Sequence, residues 1–364
     1  MNIDLLRKID RIHPYPAKFT IDLALEYIEK YTSIGDVIYD PFVGSGTTLL
    51  AASVLGRSGY GTDINHIAIL ISQFKLLKLS DEEMQELSKF VDNFEATYQS
   101  KVSDVELFHY QSINHWFCDD SIRVLSLIKK EIYALNGEDK QLFCNLVFSA
   151  IINTVSNQES DTRYAAIEKP NMTVENIASV FINKFRTTLE IFKQFNDIDR
   201  TNGKCTAKLL DSKLCGEVLS NNSVDLIFTS SPYVNTYDYY LYHKHRMKWL
   251  EYDFRFSMET EIGSRREFSS LKREVGKFNL DLFEIYNACD KVLKKSAKIV
   301  LVMGDGKVAG KIYDAKENMI DICSKLNWKL IDYSYSLLDD TSRSFQQSYR
   351  TKGKKEHILT FEKV

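Results

Sequence analysis

The stretch "DVIYDPFVGSGTTLLAASVLGR", Asp36 to Arg57, constrains the fold more than any other part of the chain. Its apolar start through "DPF" reads as a strand buried on both faces, "VGSGTT" as a sharp turn, and "TTLLAASVLGR" as a helix. A short strand, "SGYGTDI", follows and ends at Asp63. Strand, glycine turn, helix and strand open a doubly wound parallel sheet. Five later stretches complete it: "TAKLL", "SVDLIFTS", "KIVLVMGD", "WKLIDYSYSL" and "HILTFEKV". The expected fold class is therefore α/β, a doubly wound seven-stranded mixed sheet.

The sheet pattern breaks from His66 to about Lys204. There "DEEMQELSKFVDNFEATY", "DSIRVLSLIKKEIYAL", "EDKQLFCNLVFSAIINTV" and "TVENIASVFINKFRTTLEIFKQF" repeat apolar residues at helical spacing. The pattern predicts a sheet domain at 1–65 and 204–364 with a helical insertion at 66–203. A chain of 364 residues suits one large core with one insertion.

A net charge of -3 argues against a tail-driven, histone-like nucleic-acid binder, although a basic face can coexist with an acidic one. The six cysteines include no C-x-x-C pair, so neither a zinc site nor a disulfide framework is expected, and a reducing cytoplasm fits. The N-terminal segment has charges inside its apolar stretch and no signal-peptide core, so a soluble, unexported chain is expected.

In "DPFVGSGTT" two glycines let the backbone pass close to a ligand at a helix N-terminus. The dinucleotide fingerprint fails because Leu49 stands at its third glycine, and the phosphate loop's Gly-Lys-Ser/Thr is absent. Asp63, at the end of the second strand, is placed to accept hydrogen bonds from ribose hydroxyls; the alternative is a cap on the following helix.

Four of the 5 prolines fall in "HPYPAKF", "DPFVGSG" and "SSPY", and the last two lie at the carboxyl ends of strands, where turns line one crevice. On these motifs the chain resembles the bacterial DNA amino-methyltransferases, a family that methylates the exocyclic amine of cytosine or adenine using S-adenosyl-L-methionine. "DPFVGSGTT" resembles the cofactor motif, implying Asp40, Phe42, Gly44, Gly46 and Thr47 as cofactor-binding residues. "HPYPAKF" resembles the segment that holds the methionine end, implying Lys18 or its neighbours, and "LLDS" adds Asp211. "TSSPY" resembles the catalytic motif, implying Ser230, Ser231, Pro232 and Tyr233. The resemblance covers the sheet domain and leaves out the helices.

Such chemistry suits these residues. An exocyclic amine is a poor nucleophile because its lone pair is delocalised, so acceptors must hold both amino hydrogens and favour a pyramidal nitrogen. The Ser230 hydroxyl and the backbone carbonyl of residue 231 are the expected acceptors, and Tyr233 the platform for a flipped base. Neither metal nor covalent intermediate is needed, and C5 methylation is excluded for want of a Pro-Cys nucleophile. Ser231 departs from the family, which has proline there; Ser231→Pro is expected to leave activity intact or raise it. A serine opening the motif favours cytosine N4 over adenine N6, again by resemblance.

Basic residues interleaved with aromatics mark expected contacts to double-stranded DNA: Arg163 in "NQESDTRY", His243, Lys244 and Arg246 in "YHKHRMKW", Arg265 and Arg266 in "GSRREF", and Arg343 and Arg350 in "SRSFQQSYRTKGKK". Gln346, Gln347 and Arg350 have side chains suited to base edges. His243 and His245 lack partners at ligand spacing, so DNA contact or plain surface outranks metal. A restriction-modification setting with a cognate endonuclease follows from the resemblance alone. Two rivals stand beside this reading: a cofactor-binding but inactive DNA-binding protein, and an amino-methyltransferase of RNA or protein.

Overall fold

The computed structural model describes residues 2–200, 202–337 and 354–364. Its strands are β1 (Val37–Asp40), β2 (Ser58–Asp63), β3 (Gln158–Ser160), β4 (Arg163–Ala166), β5 (Cys205–Leu209), β6 (Val224–Ser230), β7 (Leu293–Gly304), β8 (Gly306–Val308), β9 (Lys311–Tyr313), β10 (Trp328–Leu337) and β11 (Lys355–Lys363). Seven of them form one sheet in the order β10-β11-β7-β6-β1-β2-β5. Only β11 runs antiparallel to its neighbours β7 and β10; the other pairings are parallel. All seven strands read from the sequence are present. β3 with β4, and β8 with β9, make separate hairpins.

The central strands are the apolar ones because helices leave neither face wet. Ile38 and Tyr39 of β1 and Leu226, Ile227 and Phe228 of β6 have 0% exposure. From β1 the chain winds outward through β2 to β5, then returns to the other side of β1 for β6. The reversal opens a crevice at the carboxyl ends of β1 and β6, the place where doubly wound sheets take ligands.

The chain divides into two compact units. One holds Met1–Pro16, Gln73–Asp199 and Leu241–Phe254; the other, carrying the sheet, holds Ala17–Ser72, Arg200–Tyr240 and Arg255–Val364. The helical unit thus takes in two segments beyond the expected 66–203, because short stretches distant in sequence pack with the long helices. Helix Val174–Asn196 presents Phe185 and Phe192 to Phe143 of helix Glu138–Ile152 and Phe181 to Phe94 of helix Asp81–Lys101, all buried. Lys75 and Asp10 form a fully buried ion pair at 2.7 Å. Among the described residues, no helix is long and apolar enough to cross a membrane.

Candidate active site

Asp40 ends β1 with 1% exposure. Its carboxylate accepts from the Thr48 and Thr229 hydroxyls, each at 2.6 Å, and from the Phe42 amide at 3.1 Å. Burial pushes it up to about 6, against the pull of those hydrogen bonds. Asp40 therefore binds β1, the helix Thr47–Val54 and β6 together, and both its oxygens are engaged by protein groups.

Gly46 has φ +76, and a Cβ there would lie 2.8 Å from the Ser72 Cα, so glycine is required twice over. The Ser72 hydroxyl donates to the Gly44 carbonyl at 3.0 Å. Helix Thr47–Val54 begins at Gly46 with no side-chain cap, which leaves its N-terminal amides as an anion-attracting end. Thr47 is buried and lies 3.3 Å, hydroxyl to hydroxyl, from Ser45.

Across the turn, the half-buried Asp63 accepts from the Gly44 amide at 2.9 Å and the Asn65 amide at 2.9 Å. Burial raises it to about 6. Asp63 shapes the glycine turn, a role that its spacing did not announce. Asp211 caps the 3-10 turn Ser212–Glu217 through the Lys213 amide at 3.0 Å. Lys18 and Phe42 are half-buried, Phe42 edge-on to Tyr286 with ring centroids 6.4 Å apart. Beneath the turn runs a buried hydroxyl chain, Tyr39 to Thr62 to Ser212, with both links at 2.7 Å. These three residues lie on three separate segments, and no sequence pattern joined them.

The catalytic-motif loop begins where β6 stops. Ser230 is half-buried and registers with Val302 of β7. Ser231 is 1% exposed; its amide donates to the Val302 carbonyl at 3.0 Å and its hydroxyl pairs with the Tyr286 hydroxyl. Both bonds need what proline lacks, so Ser231→Pro, expected to leave activity intact or raise it, would remove both. Pro232 is half-buried, and Tyr233 is 8% exposed with its hydroxyl donating to Glu356 at 2.6 Å. The loop's far end is held by Glu261, which accepts from the Tyr239 and Tyr240 amides at 2.9 and 2.7 Å, and by Asp238, which accepts from the Arg266 amide. Burial lifts Glu261 well above the usual carboxylate range. Glu261 and Glu356 were missed by sequence reasoning, because neither sits in a recognisable pattern.

The basic patches divide sharply. His243 and Arg246, expected on a DNA-facing surface, are buried at 1% and 0% exposure. The Arg246 guanidinium pairs with Asp161 and donates to the Ser149 carbonyl at 3.0 Å, and His243 stacks on Tyr15 at 5.2 Å. Burial, with Arg246 beside it, holds His243 well below its ordinary value, and burial also drives His245 down to about 3. These side chains build the helical unit's interior and cannot reach a duplex. His13 joins them, bonded to the Ser149 hydroxyl at 2.9 Å. The "HPYP" half of the upstream motif therefore belongs to the helical unit, whereas Lys18 belongs to the sheet unit.

Lys244 stays half-exposed over the rings of Tyr164 and Phe254, and Lys248 over Tyr110. Arg163 is exposed on the β3–β4 hairpin and pairs with Glu159 at 2.6 Å. Arg265 and Arg266 are half-buried, and both donate to backbone carbonyls, of Thr236 at 2.9 Å and of Met258 at 3.2 Å. Arg265 lines a cleft of about 1080 Å³ with Asn235, Asp238 and Lys272. Arg343, Gln346, Gln347 and Arg350 lie outside the described residues.

A family model described as DNA methylase matches residues 4–74, the segment holding "HPYPAKF", the glycine turn and Asp63. The chain is 27% identical over 286 residues to type II methyltransferase M.MvaI of Kocuria varians, covering 72% of this chain and 61% of that one. It is 21% identical to type II methyltransferase M.MjaII of Methanocaldococcus jannaschii, covering 84% and 74%. Among solved structures, TrmN from Thermus thermophilus aligns over 98% of this chain and 53% of its own, with 9% identity and a TM-score of 0.39. The family-model match falls on the same glycine turn that Asp40 and Asp63 hold in shape, and over that segment the chain is similar to the N6/N4 DNA methylases.

Proposed function

We propose that the chain transfers a methyl group from S-adenosyl-L-methionine to the exocyclic N4 amine of a cytosine extruded from double-stranded DNA. One observation carries this reading: Asp40 bonds Thr48 of the cofactor-motif helix and Thr229 of the catalytic strand at once. The turn that would hold a cofactor and the loop that would hold a base are thereby fixed to one carboxylate.

The residues suit that cofactor. Gly44 and Gly46 leave room for close approach, the uncapped helix end suits a carboxylate, and Asp63 suits ribose hydroxyls. Lys18, Phe42, Thr47 and Asp211 would complete the cofactor's site, while Asp40 supports the turn through Thr48 and the Phe42 amide. When bound, the cofactor supplies an electrophilic methyl on a sulfonium centre. Ser230 and the carbonyl of Ser231 accept the amino hydrogens and direct the nitrogen lone pair; Pro232 keeps Ser231 extended, and Tyr233 gives the base an aromatic neighbour.

Serine at position 230 supports cytosine over adenine N6, the second reading. Arg163 and Lys244 on the helical unit, with Arg265 and Arg266 on the sheet unit, supply candidate phosphate contacts, and target recognition falls to the helical unit. The relatives' names, type II methyltransferases, support a restriction-modification setting, and a cytoplasmic location and a cognate endonuclease are part of the same proposal. Sequencing of modified bases in DNA from cells expressing the chain tests the proposal. N4-methylcytosine at one recurring site is the expected result; N6-methyladenine would establish the second reading, and unmodified DNA would refute both.

A further inference from the structure

The sequence "MGDG", Met303 to Gly306, ends β7 beside the catalytic-motif loop. A Cβ on Gly304 would stand 2.6 Å from the Tyr233 ring, and one on Gly306 would stand 2.2 Å from the Val234 side chain. Both positions are thus emptied to seat consecutive loop residues. Gly304 is also the direct register partner of Glu356 across the antiparallel β7–β11 pair, so their Cβ positions share one face of the sheet. On that face the Glu356 carboxylate takes the Tyr233 hydroxyl at 2.6 Å.

The ring is therefore gripped from two sides: glycine beneath one edge and a carboxylate at the phenol tip. Asp305, between the two glycines, fixes the strand that carries the carboxylate. Its carboxylate accepts from the Lys355 amide at 3.0 Å and meets His357 Nε2 at 3.1 Å, while its own amide donates to the Lys355 carbonyl at 2.9 Å. Glu356 lies between these two clamped residues.

We infer that Glu356 is a positioning residue for methyl transfer, setting the angle and depth of the Tyr233 ring against which the target base settles, with Gly304 as the seat. This rests on the proposed DNA amino-methylation. A neutral acceptor suffices for the task, since what matters is where the phenol tip is held; a misplaced platform slows a reaction that depends chiefly on alignment.

The test measures single-turnover incorporation of labelled methyl from S-adenosyl-L-methionine into DNA, together with cofactor affinity and melting temperature, for Glu356→Ala, Glu356→Gln, Tyr233→Phe and the Tyr233→Phe/Glu356→Ala pair. Glu356→Ala should slow turnover about ten- to a hundredfold with cofactor affinity unchanged. Glu356→Gln should remain within about threefold of the parent, since its amide oxygen still accepts the phenol proton. Tyr233→Phe should match Glu356→Ala, and the pair should be no slower than either single change. A folded Glu356→Ala enzyme at full rate, or additive losses in the pair, would overturn the inference and leave the proposed function standing. An unaltered chain that methylates no DNA would remove both. Should Glu356→Ala fail to fold, Glu356→Gln against Tyr233→Phe decides alone: equal losses in both overturn the inference.

Discussion

The Ser231 hydroxyl and the Tyr286 hydroxyl meet in a hydrogen bond with both side chains at or below 1% exposure. With the Ser231 amide donating to Val302, the residue standing where the family has proline is bonded twice to its surroundings. Ser231→Pro removes both bonds and leaves a buried carbonyl and phenol to find others, so it should destabilise the chain by about 2 to 4 kcal/mol. Ser231→Ala keeps the amide and should cost about half as much. Denaturant unfolding of the two variants checks the order; a Ser231→Pro protein as stable as its parent would show that the Tyr286 pairing contributes nothing.

Asp63 leads to a pH dependence. Its carboxyl is raised to about 6 by burial, so without ligand it takes up a proton as the pH falls through that value. A ligand whose hydroxyls donate to the carboxylate favours the ionised form and lowers its pKa on binding. Cofactor affinity should therefore be highest above pH 6 and weaken below it. Asp63→Asn should flatten that profile and cost about 1 to 3 kcal/mol of affinity, read by calorimetry across pH.

Gly46→Ala places a methyl group against the Ser72 backbone at a left-handed φ of +76. Strain of this kind costs about 1 to 3 kcal/mol, and relief requires the turn to open. Loss of cofactor binding exceeding any loss of stability is the expected outcome, measured by calorimetry beside a thermal melt.

Arg246 and Arg163, both basic and both expected to contact DNA, should separate in a paired experiment. Arg246→Ala empties a fully buried site and leaves the part-exposed Asp161 to water, and should lower stability by about 1 to 3 kcal/mol. Arg163→Ala should leave the melting temperature in place and lower the salt dependence of DNA binding by roughly one ion. A stable Arg246→Ala protein with weakened DNA affinity would restore Arg246 to the surface role first expected of it.

Ser230→Ala removes an acceptor proposed for one amino hydrogen. By analogy with deletion of a single preorganised hydrogen bond, methyl transfer should fall about a hundredfold or more, with DNA and cofactor affinities unchanged. A rate within a few fold of the parent would assign the acceptor role elsewhere.

What the sequence reveals depends on whether a property is local. β1, the glycine turn and the seven strands were legible because buried parallel strands are short unbroken apolar runs between turns. The roles of "KHRMKW" were less plain, but the residues carry the answer: Lys244 and Lys248 are four apart and half-exposed, while His245 and Trp249, also four apart, are buried. Helical period, applied to six residues, sorts the surface cations from the buried ones. Tyr286 and Glu356 stood beyond such reasoning, because they reach the loop that follows β6 from 55 and 123 residues away.

The division into units has a bearing on engineering. The chain passes between them at 16/17, 72/73, 199/200, 240/241 and 254/255, five junctions where a simple insertion would have two. One junction follows directly on the aromatic loop that begins at Ser230. Grafting the helices of a relative onto this sheet would thus mean splicing three segments at once, one of them at the edge of the loop that follows β6. On the proposed reading, in which the helical unit recognises the target, specificity would change by substitutions within that unit and not by exchange of a cassette.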